Sequence, residues 1–122
     1  MIPQDMQFLR ENGEVGDCVR ACTASLLMLP IERVPHFVRD RGGYWRDAWT
    51  AFLIPRGWRW NRLELDDPRP SGHWLACGPT VRTPDREAAH MVVMFGDHMV
   101  HDPHPSRTGL LSIDRVYTLN KV

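Results

Sequence analysis

The order of hydrophobic patterns along the chain limits its fold more than any other feature. Apolar residues recur at helical spacing in the first half, and from Trp58 onward they follow the two-residue period of strands. Helices followed by a run of strands are typical of an α+β protein, because a parallel sheet needs a crossover between successive strands. We therefore predict an α+β fold in which N-terminal helices pack on a small antiparallel β-sheet.

Two segments carry the predicted helices. The first begins at Asp17, a favourable N-cap residue, and ends at Leu29 because Pro30 follows. The second runs from about Tyr44 to Ile54, and its apolar side chains share one face that we expect in the core. This face is formed by Trp45, Trp49, Phe52 and Leu53.

Five strands are predicted in the second half of the chain. They cover residues 58–65, 73–78, 90–95, 98–102 and 110–119, and turn-forming residues separate them. With 122 residues, of which 43% are hydrophobic, the chain is long enough for one modest core and too short for two. We predict a single domain over residues 1–122.

The charge balance and the first residues exclude several classes of partner. Fifteen Lys and Arg are balanced by fifteen Asp and Glu, so the chain has no surplus of positive charge for nucleic acid. The start of the chain lacks the basic-then-apolar layout of a secretory signal, and no apolar stretch is long enough to span a membrane. We expect a cytoplasmic protein that binds neither nucleic acid nor membrane.

Cys18 is the strongest candidate for a chemical role. It follows Asp17 at the start of the first predicted helix, where free N–H groups and partial positive charge stabilise a thiolate. Position alone fits a reactive thiol and a packing residue equally well. The other two cysteines, Cys22 deeper in the same helix and Cys77 in a predicted strand, are expected in the core.

Two downstream residues can complete a catalytic site around this thiol. A thiol nucleophile needs a base that accepts its proton and a third group that orients the base. His90 begins one predicted strand and Asp102 ends the next. With Cys18 they supply the required residue types in the order Cys, His, Asp.

Two stretches of the chain carry a family resemblance: GDCVRACTASLLMLPIERVPHF at residues 16–37 and GPTVRTPDREAAHMVVMFGDHMVHDPHPSRTGL at residues 78–110. The first resembles the nucleophile helix of the papain-like cysteine peptidase superfamily. The second resembles the C-terminal half of small bacterial and phage-encoded proteins of this kind, similar to the peptidases that process bacteriocin leaders. The resemblance implies a papain-like domain with Cys18 as nucleophile, His90 as base and Asp102 as orienting residue. We expect a peptide or protein substrate and no cofactor.

The same resemblance suggests how the oxyanion hole is built. Papain-like enzymes often use a Gln side chain upstream of the cysteine, together with the backbone N–H of the cysteine itself. Gln7 is the preferred donor, and Gln4 and the closer Asn12 are alternatives. One missing donor lowers the rate by about 10²–10³-fold, so this choice bears on whether the protein is active.

The hairpin between the predicted base and its orienting residue poses a geometric problem. A regular two-residue turn at Gly96-Asp97 would pair Asp102 with Met91, and paired residues project from the same face of the sheet. Asp102 would then lie on the face opposite His90. We therefore predict a three-residue loop, a bulge or an early end of the pairing. In a regular hairpin, either His101 or no residue would fill the third role.

The strand at 90–95 is apolar on both faces, which predicts that both faces are covered. In a chain this short, the second cover is either the Trp-rich helix or another copy of the protein. The second of these possibilities makes a homodimer a hypothesis.

Three functions are consistent with these residues. The favoured one is a thiol hydrolase that cleaves a peptide, isopeptide or amide bond through an acyl-cysteine intermediate. The alternative is a catalytically silent papain-like binding protein, for example one encoded by a phage that engages a host factor. A metal site at His98, His101 and His104 with Asp102 is a third, but this spacing matches no known ligand motif, and we predict no metal.

Overall fold

The computed structural model describes residues 1–3, 16–82, 84 and 89–122. Within these ranges the chain forms three α-helices and then five strands. The helices are α1 (Cys18–Leu27), α2 (Phe37–Arg41) and α3 (Trp45–Leu53), with short 3₁₀ turns at Ile31–Arg33, Gly42–Tyr44 and Ile54–Arg56. The strands are β1 (Trp58–Leu63), β2 (His73–Gly78), β3 (His90–Phe95), β4 (His98–His101) and β5 (Arg115–Lys121). Helices before strands confirm the predicted α+β class.

The five strands form one sheet in the order β1-β5-β2-β3-β4. All four pairs of neighbours are antiparallel, as predicted. The C-terminal strand β5 lies between β1 and β2, whereas β2, β3 and β4 follow one another in chain order. Strand β4 is at one edge of the sheet, so no further strand covers it on its outer side. The loop that follows β4 can therefore reach the beginning of β3.

Helix α1 ends earlier than the sequence predicts. Its last residue is Leu27, because Met28 adopts the left-handed conformation with φ of 58°. The N–H of Leu29 then donates to the carbonyl of Ala24 and closes the helix end. The prediction that Pro30 stops the helix at Leu29 is therefore wrong by two residues. No helix in the part of the chain that the structure describes is long and apolar enough to cross a membrane.

The main core lies between the helices and one face of the sheet. Trp49 of α3 is at its centre, where its ring stacks on Trp60 at 5.7 Å and meets Tyr117 edge-on at 5.6 Å. Its Nε1–H donates to Oγ1 of Thr23 in α1, so the buried indole is fully satisfied. The predicted aromatic face of α3 is confirmed as core, with Trp45 only partly buried.

The second face of the sheet is covered by the chain itself. Trp74, Ala76, Val92 and Val116 form a smaller buried cluster, against which Leu63, Met94, Leu110 and Ile113 pack. The prediction that β3 is covered on both faces is confirmed. The second cover includes the segment 109–114, which lies before β5, so the covered face no longer argues for a homodimer.

Gly78, at the end of β2, is the point where this covering segment comes closest to the sheet. The N–H of Leu111 donates to the carbonyl of Pro79 at 2.8 Å, and the N–H of Asp114 donates to the carbonyl of Cys77, also at 2.8 Å. A methyl group on residue 78 would collide with the backbone carbonyl oxygen of Ser112. Only glycine therefore lets the segment lie this close.

We expect Gly78→Ala to lower the free energy of unfolding by about 1–3 kcal/mol, because neither backbone can retreat without breaking these hydrogen bonds. Urea unfolding followed by tryptophan fluorescence measures the change. Gly72→Ala is the matched control, since a methyl group there meets nothing within 4 Å. Its expected effect is within about 0.5 kcal/mol. Equal stabilities of the two variants would contradict the close approach.

Candidate active site

The thiol of Cys18 lies where the N-terminus of α1 meets the beginning of β3. Cys18 is the first residue of α1 and is 9% exposed. Its thiol interacts with the side chain of His90 and with the backbone of Met91, and both interactions favour the thiolate. One turn further along α1, Sγ of Cys22 is 3.6 Å from the carbonyl oxygen of Met91. Both cysteines of α1 therefore contact the backbone of the same β3 residue, Met91.

The ring of His90 links this thiol to Asp102. His90 is the first residue of β3 and is 8% exposed. Its Nε2 is 2.6 Å from Oδ1 of Asp102, so this nitrogen carries the proton of the hydrogen bond. Since Nε2 is engaged there, Nδ1 is the ring nitrogen that faces Cys18. Thiol, imidazole and carboxylate form one continuous chain of contacts.

The carboxylate of Asp102 is held by backbone groups as well as by the imidazole. The N–H of His104 donates to Oδ1 at 2.9 Å, and the N–H of Gly109 donates to Oδ2 at 2.8 Å. Asp102 is 3% exposed, and these three donors satisfy a charge that would be costly to bury alone. The loop after β4 therefore curls around the carboxylate and fixes its direction.

A β-bulge in the β3–β4 hairpin solves the predicted geometric problem. Pairing is regular up to Met94 and Met99, and then shifts so that Val93 pairs with His101. Val100 is the extra residue in β4, and it has no partner in β3. After a shift of one residue, each later side chain of β4 projects from the face opposite to the one it would have in a regular hairpin. The predicted departure from regular pairing is confirmed as a bulge.

The shift brings Asp102, and not His101, to the base. Asp102 would pair with Val92 in the shifted register, and Val92 projects from the same face as His90. Nε2 of His101 instead lies 2.8 Å from the carbonyl oxygen of Ile2, to which it donates. The alternative in which His101 serves as third member is therefore wrong, because it required a regular hairpin.

Burial and the neighbouring charges set the ionisation of the three groups. Burial by itself would raise the pKa of Cys18, but the hydrogen bond and charge of His90 outweigh it and lower that pKa below 9.0. Burial likewise opposes the charged form of His90, yet Asp102 and Cys18 raise its pKa to about 9. The pKa of Asp102 falls to about 2 against the effect of burial, chiefly through its hydrogen bond to His90. Both shifts, downward for the thiol pKa and upward for the imidazole pKa, are in the direction that favours a thiolate–imidazolium pair.

Asp17 occupies the N-cap position of α1 without capping the helix. Its side chain makes no capping hydrogen bond, which corrects the role predicted for it. The buried carboxylate instead lies 3.4 Å from Nη1 of Arg20. Nε of Arg20 donates to the carbonyl oxygens of Ile31 and Val34, at 3.2 and 2.6 Å. Arg20 therefore links the first turn of α1 to the segment that follows the helix. The negative charge of Asp17 acts in the opposite direction to His90 and raises the pKa of Cys18.

The other two cysteines are buried, as predicted. Burial raises the pKa of Cys77 to about 12 and that of Cys22 well above 9.0, so both are neutral thiols. The contact between Cys22 and Met91 was not predicted. The spacing of four residues between Cys18 and Cys22 puts both side chains on one helix face and is the signal that could have suggested it.

Sequence reasoning also missed the residues that hold Asp102. The bond from the N–H of His104 to Asp102 spans two residues and closes an Asx turn, which the Asp-Pro-His order could have suggested. The ring of His104 stands edge-on to His90 at 6.2 Å. The role of Gly109 depends on where the loop returns, and no local pattern indicates it. The oxyanion candidates Gln7 and Asn12, with Gln4, lie outside the described residues.

The histidines considered as metal ligands are not brought together. His98 lies 3.2 Å from Asp97 on the surface, His101 contacts the N-terminal segment, and Nδ1 of His104 lies 2.8 Å from Oγ of Ser106. Across residues 1–3, 16–82, 84 and 89–122, no group of three or more His, Cys, Asp or Glu side chains could hold a metal ion. The hypothesis of a metal site at these histidines is therefore wrong.

Comparison with protein-family models, with curated proteins and with solved structures finds no match to this chain. The assignment of the site therefore depends on the contacts of its own residues and on their chemistry.

The charge of Asp102 should control the reactivity of Cys18. We expect Asp102→Asn to raise the midpoint of the pH dependence of iodoacetamide alkylation by about one pH unit or more. Loss of the carboxylate lowers the pKa of His90, and the thiolate then loses its counter-charge at lower pH. Alkylation rates measured by mass spectrometry between pH 4 and about pH 9 would record this shift.

Asp97→Asn is the matched control, because the Asp97 carboxylate is 91% exposed and contacts only the surface His98 among the described residues. Its midpoint should equal that of the unaltered protein. The same midpoint in all three proteins would show that Asp102 does not act on the thiol through His90.

Proposed function

We propose that this protein is a thiol hydrolase that cleaves a peptide, isopeptide or amide bond through an acyl-cysteine intermediate. The observation that supports it best is the unbroken chain of contacts from Cys18 through His90 to Asp102. A buried carboxylate, an imidazole with a raised pKa and a thiol with a lowered pKa are the groups that such chemistry needs. Cys18 would be the nucleophile, His90 the base and acid, and Asp102 the orienting residue.

In the first half of the proposed reaction, the Cys18 thiolate attacks the carbonyl carbon and forms a C–S bond. The imidazolium of His90 then gives its Nδ1 proton to the amine as the C–N bond breaks, which leaves a thioester. In the second half, neutral His90 takes a proton from the attacking water. The C–S bond breaks, the acid product departs, and the thiolate–imidazolium pair forms again.

The fixed orientation of the imidazole favours both proposed proton transfers. Asp102 holds Nε2, so Nδ1 faces the sulfur and the bond to be cleaved without a search among ring orientations. Asp102 also stabilises the imidazolium throughout the first half of the reaction. The backbone donors from His104 and Gly109 keep the carboxylate in place while charge moves.

The negative charge that develops on the carbonyl oxygen needs donors near the sulfur. The backbone N–H of Cys18 is at the first position of α1, where it has no partner within the helix, and the helix end favours negative charge there. We propose this N–H as one donor. Gln7 is proposed as the side-chain donor, with Asn12 as the alternative.

A thiol nucleophile at a helix start, followed by a histidine at the beginning of an antiparallel strand, also supports membership of the papain-like superfamily. On this proposal the whole chain forms one papain-like domain that acts on a peptide or protein. The three free cysteines are compatible with a reducing compartment, and the cytoplasm is our proposed location.

An activated ester tests the acyl intermediate without knowledge of the natural substrate. With p-nitrophenyl acetate we expect a burst of p-nitrophenolate equal to the enzyme concentration, an acetyl adduct on Cys18 by intact mass, and then slow turnover. Cys18→Ala should abolish the burst and the adduct. His90→Gln should lower the rate of both steps by about 10²–10⁴-fold, because it removes the proton-transfer group.

Cys77→Ala is the matched control, since Cys77 is a buried thiol whose pKa is raised to about 12. It should keep the burst, provided that circular dichroism shows a folded protein. A catalytically silent binding protein would instead give a Cys18 that reacts with neither p-nitrophenyl acetate nor iodoacetamide. That result would falsify the hydrolase proposal.

A further inference from the structure

Two loops beside the candidate active site are joined by a set of polar side chains, here called the Arg82 cluster: Arg82, His104, Ser106 and Thr108. Nη1 of Arg82 donates to Oγ of Ser106 at 2.6 Å and to Oγ1 of Thr108 at 3.1 Å. Arg82 follows β2, whereas the two hydroxyls belong to the loop after β4. The guanidinium is thus held in one orientation, although Arg82, Ser106 and Thr108 are exposed.

The hydrogen bonds of His104 fix its tautomer. Nδ1 accepts from the backbone N–H of Ser106 at 3.1 Å and lies 2.8 Å from Oγ of the same residue. A ring nitrogen that accepts carries no proton, so the proton of the neutral ring is on Nε2. Burial, and then the charges of Arg82 and His90, lower the pKa of His104 and keep it neutral. His104 therefore offers an Nε2–H donor.

The Arg82 cluster adjoins the proposed base. The ring of His104 is edge-on to that of His90 at 6.2 Å, and its backbone N–H holds Asp102. A substrate that reaches beyond the bond at Cys18 along this side of the site would therefore meet the cluster next.

The charge of the Arg82 cluster is positive and uncompensated within the described residues. Arg82 forms no ion pair with any carboxylate in those ranges, and only its Nη1 is engaged by the two hydroxyls. Exposed Arg107 adds a second positive charge to the same loop. The guanidinium keeps further N–H donors in a planar fork, the shape that matches a carboxylate or a phosphate.

We propose that the Arg82 cluster binds an oxyanion group, a carboxylate or a phosphate, on the substrate of the adjacent site. The unused N–H groups of Arg82 and the Nε2–H of His104 are the donors, and Ser106 and Thr108 orient the guanidinium. This inference rests on the proposed thiol chemistry at Cys18. It names the substrate class as one that carries a negative charge beside the bond to be cleaved.

Maleimides that carry a carboxylate on alkyl tails of increasing length test this site, each compared with its neutral amide. The rate ratio of acid to amide at Cys18 should be about three- to tenfold higher in the unaltered protein than in Arg82→Gln for at least one tail length. This range corresponds to one charge-assisted contact at an exposed site. Gln keeps a donor for the two hydroxyls and removes the charge. A matching series of alkyl phosphonates distinguishes a carboxylate site from a phosphate site.

Arg59→Gln is the matched control, because Arg59 is exposed on β1, at the far edge of the sheet. Its ratios should equal those of the unaltered protein. Equal ratios in the unaltered protein and Arg82→Gln at every tail length, for both anions, would overturn the proposed site. Failure of Cys18 to react with the neutral amides would instead overturn the thiol chemistry, so the two outcomes are distinguishable.

Discussion

The buried hydrogen bond between Nε2 of His90 and Oδ1 of Asp102 is the interaction on which the site depends. A carboxylate that is 3% exposed must be fully paired, and the imidazole and two backbone amides achieve this together. The same bond decides which ring nitrogen faces Cys18, and its charge keeps the imidazole protonated. The lowered pKa of the thiol is therefore a consequence of how one loop folds around one carboxylate.

Helix α1 contacts the sheet through its two cysteine side chains, which meet the backbone of Met91 in β3. The backbone of Met91 interacts with the thiol of Cys18, and its carbonyl oxygen lies 3.6 Å from the Sγ of Cys22. Met91 lies beyond the last β3–β4 pair, so α1 takes the place that a neighbouring strand would otherwise occupy. The nucleophile is thus positioned against the residue next to the base.

Sequence patterns predicted most of the secondary structure because apolar periodicity responds directly to burial, and the strand at 90–95 agrees at both ends. The three site residues were predictable because each side chain has a characteristic position, at a helix start or a strand end. The need for a departure from regular pairing followed from alternation alone, but its form, a bulge at Val100, did not. The partners of Asp17, Gly109 and Arg82 depend on how distant loops return, which local spacing does not encode.

Because Val100 is unpaired, the position of the Asp102 carboxylate depends on the number of residues in β4. Side chains alternate between the two faces of a sheet along each strand. Whether the number of residues between the turn and Asp102 is odd or even therefore decides which face the carboxylate projects from. Gain or loss of a single residue would carry the acid away from the imidazole, whereas a change of two would return it. Insertions or deletions that keep Asp102 beside His90 are therefore expected to change this stretch by an even number of residues.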